Sequence, residues 1–327
     1  MKIATIETIK SVRKHPNADS LDICSVLGFE CITKIGQFKE GDVVAFLQPD
    51  SVLPPDKEWS AFYRSKSNRI KAIRLRSCWS EGVAESLATV GYTGQIEIGR
   101  EISQDIGVTH YEPPLPQDLS AKGLLPFGIP PTDEERVNNL EAIPYGEIVD
   151  VTLKIDGQSW SAYNAMARDS DGNFMPPVSG VCGRRLEYKL DCDNHYTRNF
   201  KKYAHIFGKN HNLVNVCFRA EQYGFGIQSS ANNPHSKLPV DLAFYSVWMM
   251  NDRRYARKGE SFYAYDFFPK FGIPTAPVIE RDVVLTPELV AKYADGKEIN
   301  GQSYEGVVIQ WSGGSFKVLS KEYDSKK

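Results

Sequence analysis

A polar, proline-rich stretch interrupts this chain after its first third. Residues 112–117 read Glu-Pro-Pro-Leu-Pro-Gln, and prolines recur at positions 126, 130 and 131. Proline cannot donate a backbone hydrogen bond to a sheet or to a helix interior, so such a segment joins folding units more readily than it builds one. The 327 residues also exceed one ordinary compact core. We therefore predict two domains, residues 1–115 and 116–327.

The first domain has the pattern of many short strands separated by turns. Residues 42–47, which are apolar after Asp42, follow two closely spaced glycines, Gly36 and Gly41. Residues 71–76 alternate basic and apolar side chains at a period of two, which is typical of a strand with one exposed face. Short strands of this kind predict a small β-barrel.

The second domain is predicted to be rich in strands, with helices between them. Thr132 is followed three residues later by Glu135, a spacing that predicts a helix running to about residue 140. This pattern favours an α+β domain over a parallel βαβ array. The clearest strands are at residues 148–154, 216–221, 242–248 and 304–311, and the clearest helices at 195–208 and 287–294.

Composition excludes several classes of protein. Hydrophobic residues make up 41% and charged residues 24%, which are globular values. No apolar run approaches the roughly 18 residues of a membrane span. The six cysteines contain no CxxC pair, which argues against a zinc site or a disulfide scaffold. We expect a monomer in the cytoplasm, or in the cytosol of an infected host if the source is viral. The net charge of −2 leaves nucleic-acid binding open.

The chemistry is carried by an ordered set of charged residues in the second domain. Residues 154–157 read Lys-Ile-Asp-Gly at the end of a predicted strand, so the lysine points to one face just where the chain turns. Alone, this tetrapeptide is a weak signal. The residues that follow it in order are Arg184, Glu221, Glu305 with Gly306, and Lys317.

This order resembles the motif series of the covalent lysyl-nucleotidyltransferases, the superfamily of polynucleotide ligases and RNA capping enzymes. The similarity is closest to ATP-dependent RNA ligases with an N-terminal OB domain. It implies an OB-type barrel followed by an antiparallel-sheet, ATP-grasp-like nucleotidyltransferase domain, with the α+β class overall. The stretches that carry this closer similarity are residues 36–42, 50–54, 132–139 and 224–228.

The resemblance implies that Lys154 becomes covalently adenylylated by ATP. A lysine amine must lose its proton before it attacks phosphorus, and a pKa of about 10.4 leaves roughly one molecule in a few thousand neutral at pH 7. A hydrated divalent metal, Mg²⁺ or Mn²⁺, would lower that pKa. The resemblance places the carboxylates of Asp156, Glu221 and Glu305 around such a metal. A second metal on the triphosphate would orient the leaving pyrophosphate.

Further residues are carried over as contacts to the nucleotide. Lys317 would contact the AMP phosphate, Arg184 the ribose or phosphate, and Arg136 the outgoing phosphates, because cations stabilise charge that builds on phosphoryl oxygens. Gly157 lies beside the nucleophile. Val247 is aligned with a position where relatives present an aromatic that stacks on adenine, and valine offers less stacking.

Two other positions also depart from the pattern of the relatives. Arg185 stands where they commonly have asparagine, and Leu319 where many have a second lysine, so Lys321 is a candidate replacement. Taken singly, Glu305, Arg184 and Lys317 could each be an ordinary surface residue. As an ordered set they predict an active site.

A cationic run lies in the first domain. It has six cations in thirteen residues without an acid: Arg64, Lys66, Arg69, Lys71, Arg74 and Arg76. These side chains could follow the backbone of an RNA across the barrel, and a solvated strand face is the alternative.

The function predicted is RNA end joining in three steps. Lys154 attacks ATP, AMP passes to an RNA 5′-phosphate, and a 3′-OH displaces AMP. Capping enzymes and DNA ligases are the alternative among enzymes, but they carry an OB domain after the last lysine motif, whereas this sequence ends ten residues beyond Lys317. A catalytically impaired RNA-binding relative is the alternative outside enzymes.

Overall fold

A computed structural model describes residues 2–63, 68–112, 118–132, 134–166, 170–171, 173–207, 213–229 and 232–324. The chain forms two compact units, one of Met1–Pro114 with Val137–Glu141, the other of Leu115–Arg136 with Ala142–Lys327. The short return of residues 137–141 to the first unit is not part of the predicted boundary. The prolines at 113, 114 and 116, Asp133, Arg64 and Lys66 lie outside the described residues.

The first unit is an antiparallel barrel. Its strands are β1 (Ala4–Lys14), β2 (Leu21–Val26), β3 (Phe29–Lys34), β4 (Val43–Leu47), β5 (Ser51–Val52), β6 (Ile73–Leu75), β7 (Cys78–Ser80), β8 (Val83–Glu85) and β9 (Thr109–His110), together with the short α-helix α1 (Ser103–Ile106) and a 3₁₀ turn at Glu58–Ser60. Five strands form the main sheet in the order β3-β2-β1-β4-β8.

Strand β1 pairs with a different neighbour along each half of its length, and this change of partner curves the sheet. Its first half pairs with β4 and its second half with β2, with an irregularity between Ile9 and Ser11. The opposite edges of the sheet meet where the amide of Glu81 donates to the carbonyl of Glu30 at 2.7 Å. Apolar side chains such as Ile6 and Phe46 fill the interior and are fully buried.

The second unit contains the remaining strands and helices. Its strands are β10 (Ala121–Leu124), β11 (Ile148–Lys154), β12 (Gln158–Ala165), β13 (Val178–Cys182), β14 (Leu186–Tyr188), β15 (Val216–Tyr223), β16 (Asp241–Met249), β17 (Arg254–Tyr255), β18 (Val278–Val284), β19 (Glu298–Ile299), β20 (Gln302–Ser303), β21 (Gly306–Trp311) and β22 (Gly314–Leu319). Its α-helices are α2 (His195–Tyr203), α3 (Ala264–Phe267), α4 (Pro287–Asp295) and α5 (Lys321–Asp324).

Two antiparallel sheets organise this unit. One has seven strands in the order β10-β14-β13-β12-β15-β16-β17, and the other has four in the order β18-β11-β21-β22. The main core lies against one face of the seven-stranded sheet, where Trp160, Phe218 and Phe244 are almost completely buried. Because side chains alternate along a strand, Ser159 and Ser161 of β12 and Arg219 and Glu221 of β15 point to the other face.

Two predicted elements differ in the structure. The helix expected from Thr132 is reduced to a 3₁₀ turn, Val137–Asn139. The Thr132 hydroxyl lies 2.6 Å from that of Ser159 on β12, a partner distant in sequence that replaces the predicted capping contact. The strand expected at 71–76 shortens to β6, which forms a two-stranded sheet with β7. Among the residues that the structure describes, no helix has the length and apolar character required to cross a membrane.

Candidate active site

Lys154 and Glu305 meet at the end of the four-stranded sheet. Lys154 is the last residue of β11 and pairs with Gly306, the first residue of β21, so Glu305 lies directly beside it. The lysine Nζ lies 2.6 Å from Glu305 Oε2, and both side chains are mostly buried, at 29% and 12% exposure. Glycine is required after Glu305, since a Cβ at Gly306 would lie 2.4 Å from the carbonyl oxygen of Val318.

The turn after Lys154 is held against β15. A Cβ at Gly157 would lie only 2.2 Å from the carbonyl oxygen of Gln222, so no side chain fits at this position. The Gly157 amide donates to Glu221 Oε1 at 3.2 Å. Asn233 Nδ2 donates to the backbone carbonyl of Asp156 at 2.7 Å. This close packing brings Glu221 and Asp156 to Lys154.

Glu221 is strongly affected by its surroundings. The pKa of its carboxyl is raised to about 8, mainly by burial and also by the neighbouring charges of Glu305 and Asp156, while Lys154 and the Gly157 amide oppose the shift. The cluster therefore brings three acids together with one ammonium group. Such an excess of negative charge favours binding of an additional cation.

The three carboxylates suit a hard divalent cation by their chemistry, because Mg²⁺ and Mn²⁺ prefer oxygen ligands. Within the described ranges, no three histidine, cysteine or acidic side chains are grouped as a ready set of direct metal ligands. The arrangement fits a cation that keeps part of its water shell, as Mg²⁺ commonly does.

Lys317 and Arg136 are brought together beside this cluster. On β22, Lys317 pairs with Val308 of β21, and Val308 pairs in turn with Thr152 of β11. Residues directly opposite each other share a face of the sheet, so Lys317 lies on the same face as Thr152 and Lys154. The amide of Lys317 donates to the carbonyl of Glu135 at 2.8 Å. Arg136 forms an isolated parallel bridge with Lys317. Two cations thus lie on adjacent segments at the edge of this sheet.

Leu319 occupies the position where many relatives have a second lysine. It pairs with Gly306 and shares the face of Lys317. The candidate replacement, Lys321, instead forms an ion pair with Asp295, with its Nζ 3.1 Å from Oδ1. The structure therefore does not place a second lysine at the cluster through Lys321.

Two predicted nucleotide contacts have different surroundings in the structure. Arg184 is exposed, on the turn between β13 and β14. Val247 is fully buried in the main core. It pairs with Phe218, so it points to the face of the sheet opposite Glu221.

An aromatic residue that the sequence analysis did not select lies on the same face of the seven-stranded sheet as Glu221. On β15, Arg219 pairs with Ser246 and Ala220 with Phe244, which leaves Tyr245 as an extra residue in a bulge. Burial raises the pKa of the Tyr245 hydroxyl well above its usual value, and the largest contribution from a charge comes from Glu221. The bulge thus brings Tyr245, rather than Val247, to the face of the carboxylates.

In the first unit, the described part of the cationic run divides into two groups. Arg69 is held by Asp50, with its Nε 2.8 Å from Oδ1, and its guanidinium lies 4.2 Å from the ring centre of Tyr111. Lys71, Arg74 and Arg76 are exposed. Only the second group offers cations to solvent on the β6–β7 side.

Comparison with known proteins gives a partial match in sequence and a complete match in structure. A family model for an OB-fold domain matches residues 3–87. No curated protein matches the sequence.

Several solved structures of an RNA ligase from Naegleria gruberi are similar to this chain. A lysine-to-alanine variant with ATP and Mn has a TM-score of 0.83 and 25% identity, over 100% of this chain and 99% of that one. A lysine-to-methionine variant with AMP and Mn gives the same values. The ligase with PPi has a TM-score of 0.81 and 25% identity, over 99% and 98% of the two chains. The predicted fold class, an OB-type barrel followed by an α+β domain, is confirmed.

Proposed function

We infer that this chain is an ATP-dependent RNA ligase that works through a lysyl-AMP intermediate on Lys154. One observation carries the inference most strongly: the only Lys-x-Asp-Gly lysine lies 2.6 Å from Glu305 and beside Glu221, in a fold that matches an RNA ligase solved with ATP and Mn along its full length. The predicted resemblance to RNA ligases agrees with this similarity.

In the first step, the unprotonated Nζ of Lys154 attacks the α-phosphorus of ATP. The new bond is P–N, the bond that breaks is from the α-phosphorus to the bridging oxygen, and pyrophosphate leaves. Lys154 must first give up a proton and its ion pair with Glu305. A bound divalent cation would supply positive charge at Glu305, Glu221 and Asp156, which disfavours the ammonium form of the lysine.

The cations beside the cluster act on the phosphates. Lys317 lies on the face of Lys154, and we assign it to the α-phosphate oxygens, where negative charge builds in the transition state. Arg136, on the adjacent segment, is assigned to the outgoing phosphates. Its planar donor fork suits phosphate recognition. Arg184, exposed on the turn between β13 and β14, is assigned to the ribose or phosphate.

The base is assigned to Tyr245. Its ring lies on the face of Glu221, in a bulge that sets it apart from the core residues of β16. Stacking of a base on an aromatic ring is worth roughly 1–3 kcal/mol.

Two further steps complete end joining. An oxygen of an RNA 5′-phosphate attacks the phosphorus of lysyl-AMP, which breaks the P–N bond and releases Lys154. A 3′-OH then attacks the 5′-phosphorus, forms the phosphodiester and releases AMP. Lys154 is needed as a nucleophile only before the RNA-adenylate exists.

The test is a comparison of two reactions on the full chain. With α-labelled ATP and Mn²⁺, the wild type and a Lys201→Ala control, which alters an exposed lysine on α2, should form an acid-labile adduct. Lys154→Ala should not, yet it should still seal RNA supplied with a 5′-adenylate.

Adduct formation by Lys154→Ala would contradict the assignment of the nucleophile. Absence of both reactions in the wild type would favour the RNA-binding relative without chemistry. Parallel assays with DNA strands of the same sequence, and with GTP and diphosphate-ended RNA, distinguish RNA sealing from DNA ligation and from capping.

A further inference from the structure

A tyrosine outside the predicted motifs contacts one of the site carboxylates. The hydroxyl of Tyr323, on α5, donates to Asp156 Oδ2 at 2.8 Å. Tyr323 is 3% exposed and Asp156 is 6% exposed, so water does not compete for this bond. The two residues are separated by 167 positions in the chain.

The segment that carries Tyr323 is anchored to a second site residue. Ser320 follows β22, and its amide donates to the backbone carbonyl of Glu305 at 2.9 Å. Its hydroxyl donates to the carbonyl of Gly296 at 3.0 Å. The amide of Tyr323 lies 3.4 Å from the same hydroxyl. Ser320 and Tyr323 therefore connect one short segment to Glu305 through the backbone and to Asp156 through a side chain.

A carboxylate that serves a cation needs a fixed orientation. Asp156 lies in a turn after β11, where its side chain could adopt several rotamers, and its charge is close enough to Glu221 to act on that carboxyl. A buried hydrogen bond to one carboxylate oxygen selects one rotamer and so fixes the direction of the whole carboxylate. Hydrogen bonds of this kind to metal-binding carboxylates typically change metal affinity or activity by about 10–100-fold.

We propose that Tyr323 is a positioning residue, whose hydroxyl orients the Asp156 carboxylate for the divalent cation of the first step. The proposal rests on the proposed function, and on the assignment of Asp156 to the metal. Tyr323 contacts neither ATP nor the reacting phosphorus in this scheme. Its effect is transmitted through Asp156 alone.

The test compares Tyr323→Phe with a matched control. Tyr203 is likewise buried, and its hydroxyl donates to Asp241 Oδ1 at 2.7 Å, away from the carboxylate cluster. Each substitution removes one hydroxyl and keeps the ring, which costs about 1–2 kcal/mol and leaves a chain of ordinary stability folded. Melting curves of both variants measure that cost directly.

Two readouts follow metal binding. One is the Mn²⁺ concentration that gives half-maximal adenylylation, and the other is the affinity for Mn²⁺, measured by electron paramagnetic resonance on the full chain with saturating AMP. We expect Tyr323→Phe to raise the half-saturating Mn²⁺ concentration, and to weaken Mn²⁺ binding, by about tenfold. Saturating Mn²⁺ should restore most of the rate, and Tyr203→Phe should change neither readout.

An unchanged Mn²⁺ affinity in Tyr323→Phe overturns the proposal, whatever the adenylylation rate. Equal weakening in both variants overturns it too, because the loss would then be a general effect of removing a buried hydroxyl. In an Asp156→Asn background, Tyr323→Phe should add no further weakening, and a full additional effect would again overturn it. If the wild type formed no lysyl-AMP, the proposed function would fail, while the Mn²⁺ affinities would still test Tyr323.

Discussion

The ammonium of Lys154 and the carboxylate of Glu305 form an ion pair with a Nζ–Oε2 distance of 2.6 Å. This pair stabilises the charged form of the lysine, which cannot act as a nucleophile. The same carboxylate is one of three that a divalent cation would approach. In the proposed function, cation binding and the proton on Lys154 would compete for Glu305, and this competition would couple metal binding to formation of the nucleophile.

Replacing Glu305 by glutamine should test this coupling. The amide keeps the size of the side chain and can still accept a hydrogen bond from Lys154, but it lacks the charge that attracts a metal. We expect Glu305→Gln to lower the rate of adenylylation by about 100-fold. Glu298→Gln, an exposed residue of β19, is the control. Normal rates for Glu305→Gln across a Mn²⁺ titration would show that Glu305 has no part in metal binding.

Stability should depend on pH through Glu221. Its pKa is about 8 in the folded chain, against an ordinary value of 4.5. Between these values the folded state holds a proton that the unfolded state has lost, so the free energy of unfolding falls as pH rises from 4.5 to 8. Without metal, Glu221→Gln should therefore melt several degrees higher than the wild type at pH 9, with a much smaller difference at pH 5. A difference that did not vary with pH would contradict the assigned shift.

Substitutions at Tyr245 and Val247 should distinguish a side chain that contacts the nucleotide from one that only packs in the core. Tyr245→Leu removes an aromatic ring from the face of Glu221, so the KM for ATP should rise by about tenfold. Val247→Ala creates a cavity in the core on the opposite face and should lower stability by about 1–3 kcal/mol with an unchanged KM. Steady-state adenylylation and thermal melting measure the two effects. If Val247→Ala changed the KM for ATP more than Tyr245→Leu did, Val247 and not Tyr245 would be the residue that contacts adenine.

The exposed cations of the β6–β7 region should set the salt dependence of sealing. Replacing Lys71 and Arg76 by alanine removes two cations that could each neutralise one phosphate, so the slope of log affinity for RNA against log salt should fall by about 1.4. The double variant Lys34→Ala and Lys39→Ala, also of exposed lysines in the first unit, is the control. An unchanged slope in the first variant would indicate a solvated strand face. Lysine adenylylation, which requires no RNA, should remain normal in both.

Local pattern in the sequence predicted the strands that carry the motifs. Residues 149–154 alternate apolar and polar side chains, and the observed β11 has the predicted limits. The glycines at 157 and 306 also helped to locate the site in the sequence. Each directly follows a motif residue, at a point where another backbone segment lies too close to leave room for a side chain. Strand alternation and close backbone packing leave traces in sequence, and so the position of Lys154 could be predicted.

Other features depend on contacts that no local pattern encodes. The bulge at Tyr245 changes which residues of β16 face the site, since one extra residue reverses the facing of every side chain beyond it. Tyr323 reaches Asp156 across 167 residues. The helix predicted from Thr132 fails because its hydroxyl has a tertiary partner, Ser159. The roles of Arg184 and Arg136 stay predictions.

The return of Val137–Glu141 to the first unit has a consequence for dissecting this enzyme. Asn138 donates to the carbonyl of Gly28 at 2.8 Å, and a Cβ at Gly28 would lie 2.9 Å from the Cα of Asn138, so the returning segment is an integral part of the barrel unit. The backbone therefore passes between the units three times, after residues 114, 136 and 141. A protease that nicks the proline-rich linker leaves two covalent crossings intact, and the nicked fragments should co-elute under native conditions. Any single uninterrupted reading frame that holds all of one unit therefore also includes residues of the other.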